Sequence, residues 1–223
     1  VVQNAEKQKQ FITDASHELK TPLTVITTSL KVLEMEVGQQ KWIDKAQAQV
    51  DKMRDLVNNL VTLSRLDEEQ PALRRTDFDL SEAVRETAES FRDFAAAQGH
   101  ALELEIAPAL SYRGDEYAIR QLVSILLDNA VKYTDRGGSI TLRLERGKKG
   151  VVLQASNPCT GLDGQKLDRL FERFYRPDSS RSKQTGGFGV GLSIARSIAQ
   201  AHRGSIRAEC PAPDTIQFTA VLR

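Results

Sequence analysis

The sequence has few of the residues that mark secreted, membrane-spanning or nucleic-acid-binding proteins. Only two cysteines, Cys159 and Cys210, occur in 223 residues, so a disulfide framework is not expected and a reducing compartment fits best. No apolar run is long enough to cross a membrane, and no signal peptide is visible. The net charge is +1, so no basic field attracts nucleic acid. Hydrophobic residues make up 40% and charged residues 27%, which is typical of a soluble globular protein.

Two helical stripes dominate the N-terminal part. Apolar residues recur in steps of three and four from Phe11 to Val37, and Gly38 then breaks the pattern. A second stripe, from Ala46 to Leu63, alternates the same steps like a coiled-coil seam. Two helices alone cannot enclose a core, so the pattern predicts an antiparallel hairpin that dimerises into a four-helix bundle. The alternative is a monomeric hairpin packed against the rest of the chain.

A polar segment from Asp67 to Arg75 separates this part from the remainder, and it has the composition of a linker. We therefore predict a helical domain at 1–70 and a second domain at 71–223. The chain opens within a polar helical pattern, so we expect the natural protein to continue upstream of Val1.

In the second domain the periodicity predicts strands and helices in mixed order. TDFDLSEAV reads as a strand followed by a helix capped by Ser81. A long loop rich in Gly, Ser and Pro is predicted from Asn157 to Gly187. The order indicates an α+β fold, in which an antiparallel-rich sheet carries helices on one face. The further predicted elements are strands at 101–106, 139–145, 151–155, 205–209 and 215–222, and helices at 115–133 and 192–201.

The most informative motif is SHELKTPL at 16–23. His17 lies off the apolar stripe, so its ring points away from the buried side of the helix. A neutral exposed imidazole can act as a nucleophile, and the adjacent Glu18 can accept a proton from one ring nitrogen. Thr21 lies one turn further along on the same face. A solitary surface histidine is usually only solvated, so the surrounding octet carries the prediction.

Three residues near the end of the predicted helix at 115–133 suit a nucleotide. Asn129 is a neutral oxygen ligand of the kind that a Mg²⁺ ion accepts while it keeps its waters and phosphates. Lys132 is a compact cation suited to phosphate, and Tyr133 offers a ring and a hydroxyl. Arg176, in the segment FERFYR, is a second candidate for a phosphate contact. The alternative is an ordinary amphipathic helix with a solvated Asn129.

Glycines at 186, 187, 189 and 191 stand directly before a predicted helix that begins at Leu192. Glycine lets backbone N–H groups approach phosphate oxygens, and a helix N-terminus attracts an anion. A flexible loop would also explain the glycines. The segment is neither a dinucleotide-binding fingerprint nor a Walker loop, because it has neither the βαβ context nor a following Gly-Lys-Ser/Thr.

Four blocks, in this order, resemble conserved boxes of histidine kinases. The octet at 16–23 resembles the H-box, LLDNAVKYT at 126–134 the N-box, FERFYR at 171–176 the F-box, and GGFGVGL at 186–192 the second glycine box. The resemblance extends from about Phe11 to the C-terminus. It implies a dimerisation and phosphotransfer domain followed by an α/β-sandwich ATP-binding domain of the Bergerat type, as in gyrase-, Hsp90- and MutL-type ATPases.

The resemblance also implies a function. The expected protein is the cytoplasmic core of a membrane-anchored sensor histidine kinase of a two-component system, a homodimer that uses ATP and Mg²⁺ to phosphorylate His17. Glu18 would act as the base, Thr21 would orient water for dephosphorylation, and an aspartate of a response regulator would receive the phosphoryl group. No nucleic acid and no membrane contact are expected for this segment. The implied nucleotide-binding residues are Asn129, which is also the metal ligand, with Lys132, Tyr133, Asn157, Gly161, Arg176, Gly187, Gly189, Gly191 and Leu192.

Two positions depart from the family pattern. Ile125 stands where the N-box usually has an earlier Asn. NPCTG at 157–161 aligns with the first glycine box, usually Asp-x-Gly-x-Gly, so Asn157 replaces the Asp that receives the adenine amino group and Cys159 replaces a glycine. A neutral hydrogen bond is weaker than a charged one by about 1 kcal/mol, which is roughly fivefold in affinity. An amide also carries a donor beside its acceptor, so weaker ATP binding and blurred base selection are expected.

These departures leave two alternatives open. One is an ATP-poor dimeric module that acts mainly as a phosphatase or scaffold for the regulator. The other is an ATPase of the same superfamily without phosphohistidine chemistry.

Overall fold

The computed structural model describes residues 2–38, 40–66, 73–161, 164–175 and 189–223, with side chains from residue 19 onward except at 55, 59, 60, 63–66 and 164–166. The chain divides into two compact units, Val1–Glu69 and Gln70–Arg223.

The first unit is a pair of helices, α1 (Val2–Val37) and α2 (Lys41–Leu66). Gly38 ends α1 in the left-handed region, with φ +73°, a backbone conformation that glycine adopts at little cost. The small apolar cluster between the helices consists of Leu23, Val50 and Val57, with Leu30 packed against it.

Much of the apolar stripe predicted for α1 stays at the surface of this single hairpin. Leu19, Ile26, Leu33 and Val37 are 45–55% exposed, whereas Leu23, which the predicted stripe omitted, is buried. One hairpin therefore covers one line of apolar residues on α1 and leaves the neighbouring line open to solvent.

The second unit is built on a five-stranded sheet with the strand order β2-β4-β5-β7-β6. The pair β2–β4 is parallel and the other three pairs are antiparallel. A separate two-stranded antiparallel ribbon joins β1 to β3. The strands are β1 (Thr76–Asp79), β2 (Ala101–Ile106), β3 (Ser111–Gly114), β4 (Ser139–Gly147), β5 (Gly150–Pro158), β6 (Ser205–Ala212) and β7 (Thr215–Leu222).

Helices cover one face of this sheet. On β4, Ile140, Leu142 and Leu144 are buried while Arg143 between them is exposed, the alternation expected of a sheet with one covered face. The predicted α+β fold, a sandwich of a helical layer on an antiparallel-rich sheet, is confirmed. The helices of this unit are α3 (Leu80–Glu89), α4 (Arg92–Ala97), α5 (Glu116–Tyr133), α6 (Gly191–Ala201) and a 3₁₀ helix at Gly164–Phe171.

The start of α3 differs from the prediction. Asp79, not Ser81, is the N-cap, and its carboxylate accepts a hydrogen bond from the Glu82 N–H at 3.1 Å. Ser81 is buried inside the helix, where its hydroxyl donates to the Ala107 carbonyl at 2.6 Å and accepts from the Leu110 N–H at 2.9 Å. Aspartate and serine both cap helices well. Which of them caps α3 is therefore decided by the hydrogen bonds of Ser81 to Ala107 and Leu110, which lie far along the chain.

The predicted loop at 157–187 also differs. Asn157 and Pro158 belong to β5, where they pair with Ile216 and Thr215 of β7, and the 3₁₀ helix at Gly164–Phe171 lies inside the predicted loop. The sequence patterns did not predict β3 or α4. Proline and asparagine have low strand propensity, and only the partner strand makes their extended conformation favourable.

His202 links the C-terminal end of α6 to the N-terminal end of α5. Its Nδ1 lies 2.9 Å from the Ile198 carbonyl of α6, and its Nε2 accepts the Asp115 N–H at 3.1 Å, just before α5. A carbonyl can only accept, so Nδ1 carries the proton and the ring must be neutral for both bonds to form. Burial lowers the pKa of His202, opposed by the hydrogen bond to Ile198 and the charge of Asp115, while Arg75 lowers it further.

We expect this histidine to make the second unit sensitive to acid. A pKa lowered on folding means that the unfolded chain binds more protons below about pH 6.5, so the stabilisation is complete above that pH and decreases as the pH falls. Thermal unfolding of the chain should show a midpoint that drops between about pH 7.5 and about pH 5.5, and a smaller drop in His202→Gln. His100→Gln, at the other buried histidine of this unit, is the control. An unchanged pH slope in His202→Gln would contradict the assignment.

Candidate nucleotide site and phosphoacceptor helix

Helix α5 has a buried face and a half-buried face, and the candidate residues lie on the second. Asp115 caps the helix through a bond from the Ala118 N–H to its carboxylate at 3.0 Å. The side chains that pack into the core are Ala118, Ile119, Leu122, Val123, Leu126, Leu127, Ala130 and Val131. The half-buried face is the row Ile125, Asp128, Asn129 and Lys132. Their spacing of three and four residues places them on one side of the helix.

Lys132 forms an ion pair with Asp128, which lies on the same face of α5. Its Nζ lies 2.6 Å from Oδ2 of Asp128, one turn earlier. An incoming phosphate would therefore compete with the Asp128 carboxylate for this cation. Tyr133 is half-buried and is the last residue of α5.

The described side chains are suited to a metal ion whose ligands come mainly from nucleotide phosphates and water. No group of three or more His, Cys, Asp or Glu side chains lies together in the described part of the chain. Asn129 offers one neutral oxygen, and Mg²⁺ is commonly bound by one or two protein ligands together with phosphates and waters. The residues therefore fit Mg²⁺ as it binds with a nucleotide.

The start of α6 lies beside this face. A side-chain carbon placed on Gly191 would lie 3.5 Å from Cγ2 of Ile125, so the first turn of α6 meets α5 at the position where the family pattern usually has an Asn. Val190 precedes the helix and makes no side-chain cap. The first N–H groups of α6 are therefore not capped by the side chain of residue 190, and a helix N-terminus of this kind is a candidate to bind an anion. Leu192, next in line, is buried.

Gly189 ties the end of the F-box segment to the start of α6. Its carbonyl accepts the Phe174 N–H at 2.9 Å, its φ is +72°, and a side-chain carbon would lie 2.8 Å from the Tyr175 carbonyl oxygen. No larger residue fits there without a shift of backbone. Phe171 anchors the segment by an edge-to-face contact with Phe218 of β7.

The C-terminal end of α5 is fastened to the first glycine box. The Asp135 N–H donates to the Pro158 carbonyl at 3.0 Å, and the Asp135 carboxylate accepts from the Thr160 N–H at 2.8 Å. Gly161 follows, exposed and left-handed at φ +79°. Asn157 is 2% exposed at the end of β5. The first glycine box and the start of α6 therefore both border α5, and the F-box segment is joined to them through Gly189.

Some predicted residues lie outside this description. Arg176, Gly186 and Gly187 are not among the described residues, and the side chains of His17 and Glu18 are not described, although both lie on α1. The side chain of Thr21 is exposed on α1.

Sequence reasoning missed three residues of the second unit that support the candidate site. The pairing of Asp128 with Lys132 follows from their spacing and could have been predicted. The contact between Asp135 and Thr160 joins residues 25 positions apart, and no local pattern indicates it.

Two family models match separate parts of the chain. Residues 7–69 match the family model of the His Kinase A (phospho-acceptor) domain. Residues 114–223 match the model of the histidine kinase-, DNA gyrase B- and HSP90-like ATPases.

Curated relatives match most of this chain. The sensor protein DltS of Streptococcus agalactiae is 34% identical over 91% of this chain and 51% of its own length. The histidine-protein kinase BaeS of Escherichia coli is 34% identical over 91% of this chain and 44% of its own. The crystal structure of ShkA with AMPPNP shares the fold, with a TM-score of 0.76 at 22% identity over 96% of this chain and 46% of that one.

The chain belongs to the sensor histidine kinases. It spans about half the length of the curated relatives that it matches. Within the described ranges, every helix is too short or too polar to cross a membrane.

Proposed function

We propose that this chain is the catalytic core of a sensor histidine kinase, which transfers the γ-phosphoryl group of ATP to its own His17 and from there to an aspartate of a response regulator. The observation that carries the proposal is the presence, in one chain, of a phosphoacceptor domain containing His17 and an ATPase domain containing the α5 row. Transfer of label from γ-labelled ATP to the chain in the presence of Mg²⁺ tests it.

In the first step a neutral ring nitrogen of His17 attacks the γ-phosphorus, an N–P bond forms, the P–O bond to ADP breaks, and ADP leaves. Glu18 takes the proton from the other ring nitrogen and orients the ring. Mg²⁺, when bound, neutralises charge on the phosphates, and Asn129 would hold it. Catalysis is then mainly positioning and charge stabilisation.

The second unit would bind the nucleotide along α5. Lys132 supplies the cation for a phosphate once the phosphate displaces Asp128, and Tyr133 borders the nucleotide. The backbone at Gly189, Gly191 and Leu192 would cradle phosphate oxygens at the start of α6. Asn157 and Gly161 would border the base. Arg176 and Gly187 are assigned to the phosphates from the family resemblance alone.

The first unit would function as a homodimer. Leu19, Ile26, Leu33 and Val37 form an exposed apolar line on α1, and exposed apolar stripes of this kind are what a four-helix bundle buries. A second copy offers the same line, so two hairpins would cover each other's apolar surface. This arrangement supports the bundle over a monomeric hairpin.

The partners follow from the same chemistry. The phosphoryl group on His17 needs an acceptor, and a receiver-domain aspartate on a response regulator is the proposed one. ATP as the phosphoryl donor favours a cytoplasmic location, and the longer sensor relatives suggest that the natural protein is membrane-anchored elsewhere in its sequence. The departures at Ile125 and Asn157 favour the ATP-poor scaffold, whereas the intact set of His17, Glu18, Thr21, Asn129, Lys132 and the second glycine box favours an active kinase.

Thr21 should matter for the reverse reaction. It lies one turn from His17 on the exposed side of α1, where its hydroxyl can orient a water that attacks the phosphorylated regulator. In Thr21→Ala and Thr21→Arg, autophosphorylation should stay within about twofold, while dephosphorylation of the regulator should fall roughly 10- to 100-fold. The two activities are measured separately with the purified phosphorylated regulator.

Thr24→Ala is the matched control for this prediction, because the Thr24 hydroxyl is engaged with the Lys20 carbonyl at 2.8 Å. Equal losses of both activities in the Thr21 variants would show that Thr21 is structural.

A further inference from the structure

The half-buried face of α5 carries two charges that neutralise each other. Of its four residues, Ile125 and Asn129 are neutral, Asp128 is negative and Lys132 is positive. The Lys132 ammonium group lies 2.6 Å from Oδ2 of Asp128. A nucleotide that approaches this face therefore meets no net positive charge from its described side chains.

The turn of the helix places Lys132 between the proposed metal ligand and the carboxylate. Viewed down the axis of α5, the direction of Lys132 lies about 40° from that of Asp128 and about 60° from that of Asn129, on opposite sides. A phosphate that reaches Lys132 from the Asn129 side therefore also comes close to the Asp128 carboxylate. Two anions at that range repel each other.

The ion pair between Asp128 and Lys132 can open at small cost. The side chain of Lys132 is 31% exposed and that of Asp128 is 43% exposed, so water solvates both groups after they separate. Ion pairs with this exposure contribute little to stability. Lys132 also lies in the last turn of α5, where the helix dipole favours a cation with or without a paired carboxylate. The carboxylate is therefore a partner that a phosphate can replace.

The effect of the Asp128 carboxylate on a nucleotide depends on the metal ion. Without the ion, the carboxylate competes with the phosphate for Lys132 and repels it. When Mg²⁺ is bound with the nucleotide, the charge of the ion offsets this repulsion. The displaced carboxylate can then accept hydrogen bonds from the waters that the ion keeps. Asp128 therefore opposes the nucleotide alone and not the nucleotide with its metal.

We propose that Asp128 is a positioning residue that holds Lys132 until a phosphate replaces it, and that it thereby makes nucleotide binding depend on Mg²⁺. The inference rests on the proposed ATP site and adds the residue that discriminates between a nucleotide with its metal and one without. Phosphoryl transfer needs the metal to neutralise charge on the phosphates. The carboxylate therefore disfavours a ligand that could occupy the site but could not react.

The test measures how much Mg²⁺ strengthens nucleotide binding. AMPPNP, an ATP analogue that cannot pass its γ-phosphoryl group to His17, is titrated calorimetrically against the full chain with Mg²⁺ and with EDTA at equal ionic strength. In Asp128→Asn the affinity in EDTA should rise about 3- to 10-fold, as expected when one unit charge near the phosphates is removed in partly screened solvent. The affinity with Mg²⁺ should stay within about twofold, because the lost ion pair contributes little.

The ratio of the two affinities separates this role from a structural one, since damage to α5 would weaken binding in both conditions. Glu116→Gln is the matched control: Glu116 and Arg120 form an ion pair of the same spacing on α5, at 2.7 Å and with side chains 41% and 32% exposed. Glu116 lies roughly 18 Å along the helix axis from Asp128, beyond the Debye length of about 8 Å at physiological salt, so this variant should keep the wild-type ratio.

Two further variants at position 128 test the charge itself. Asp128→Glu keeps the carboxylate and can still reach Lys132 at the same spacing, so it should keep the wild-type ratio. Asp128→Ser removes the charge with a smaller side chain and should reproduce the lower ratio of Asp128→Asn.

Four results would overturn the proposal. Equal ratios in the wild type and Asp128→Asn would remove Asp128 from metal discrimination and leave the ATP site standing. A ratio lowered as far in Glu116→Gln or Asp128→Glu would show that the carboxylate beside Lys132 is not the cause. Loss of the analogue with Mg²⁺ in Asp128→Asn, without a gain in EDTA, would show that Asp128 holds the metal directly. Binding by the wild type in neither condition would overturn the ATP site itself and this inference with it.

Discussion

Replacement of His17 by alanine should abolish phosphorylation of this chain by γ-labelled ATP. The chain has three histidines, and the other two are poorly placed to react: His100 is 8% and His202 2% exposed. His202 also uses both ring nitrogens in hydrogen bonds. The label on the wild type should be acid-labile and base-stable, as an N–P bond is, and in His17→Ala it should fall to background.

The controls separate the three functional hypotheses. ATP affinity of His17→Ala should equal that of the wild type, because the nucleotide residues lie in the other unit. An ATP-poor scaffold would bind ATP weakly in both forms. An ATPase without phosphohistidine chemistry would bind and hydrolyse ATP in both forms and carry no label. Label that persists in His17→Ala would remove His17 as the acceptor.

Replacement of Asn129 by alanine should reduce autophosphorylation by on the order of 100-fold or more, because losses at metal sites reach this size even for groups that only support a ligand. Asn129 is half-buried beside the Asp128–Lys132 pair, so its removal leaves the core packing of α5 intact. Asn129→Asp should fail as well, since a second carboxylate next to Asp128 would compete with phosphate for Lys132. Initial labelling rates at saturating ATP and Mg²⁺ measure the effect.

Ser124→Ala is the matched control on α5. Its side chain is also half-buried, and its hydroxyl donates to the Arg120 carbonyl of its own helix at 2.9 Å. Labelling by this variant should be near normal. The proposed dimer should survive in both variants, because the apolar line on α1 is untouched, and sedimentation velocity checks this. Near-normal labelling by Asn129→Ala would show that the metal assignment is wrong.

Several features of this protein follow from the sequence alone because they depend on neighbours within a turn or two. The period of apolar residues predicted α1, α2 and α5, and the alternation of side chains predicted β2, β4 and β7. The Asp128–Lys132 pair needs only its four-residue spacing. The four boxes, read in order, indicated the family that the comparisons then confirmed.

Other features were decided by contacts between residues far apart in the chain. Asn157 and Pro158 are strand residues because β7, some sixty positions later, pairs with them. Asp79 rather than Ser81 is the N-cap of α3, because the Ser81 hydroxyl is hydrogen-bonded to the backbone of Ala107 and Leu110.

The orientation of the Asn157 side chain belongs to the second class. The sequence shows an amide at position 157, and an amide can present either a donor or an acceptor. Only the fold brings the Asp135 N–H and the Asn157 amide to the same Pro158 carbonyl, which leaves the amide one orientation. Local periodicity determined which elements form, whereas hydrogen bonds across the sheet and helix layers determined which atom each polar side chain presents.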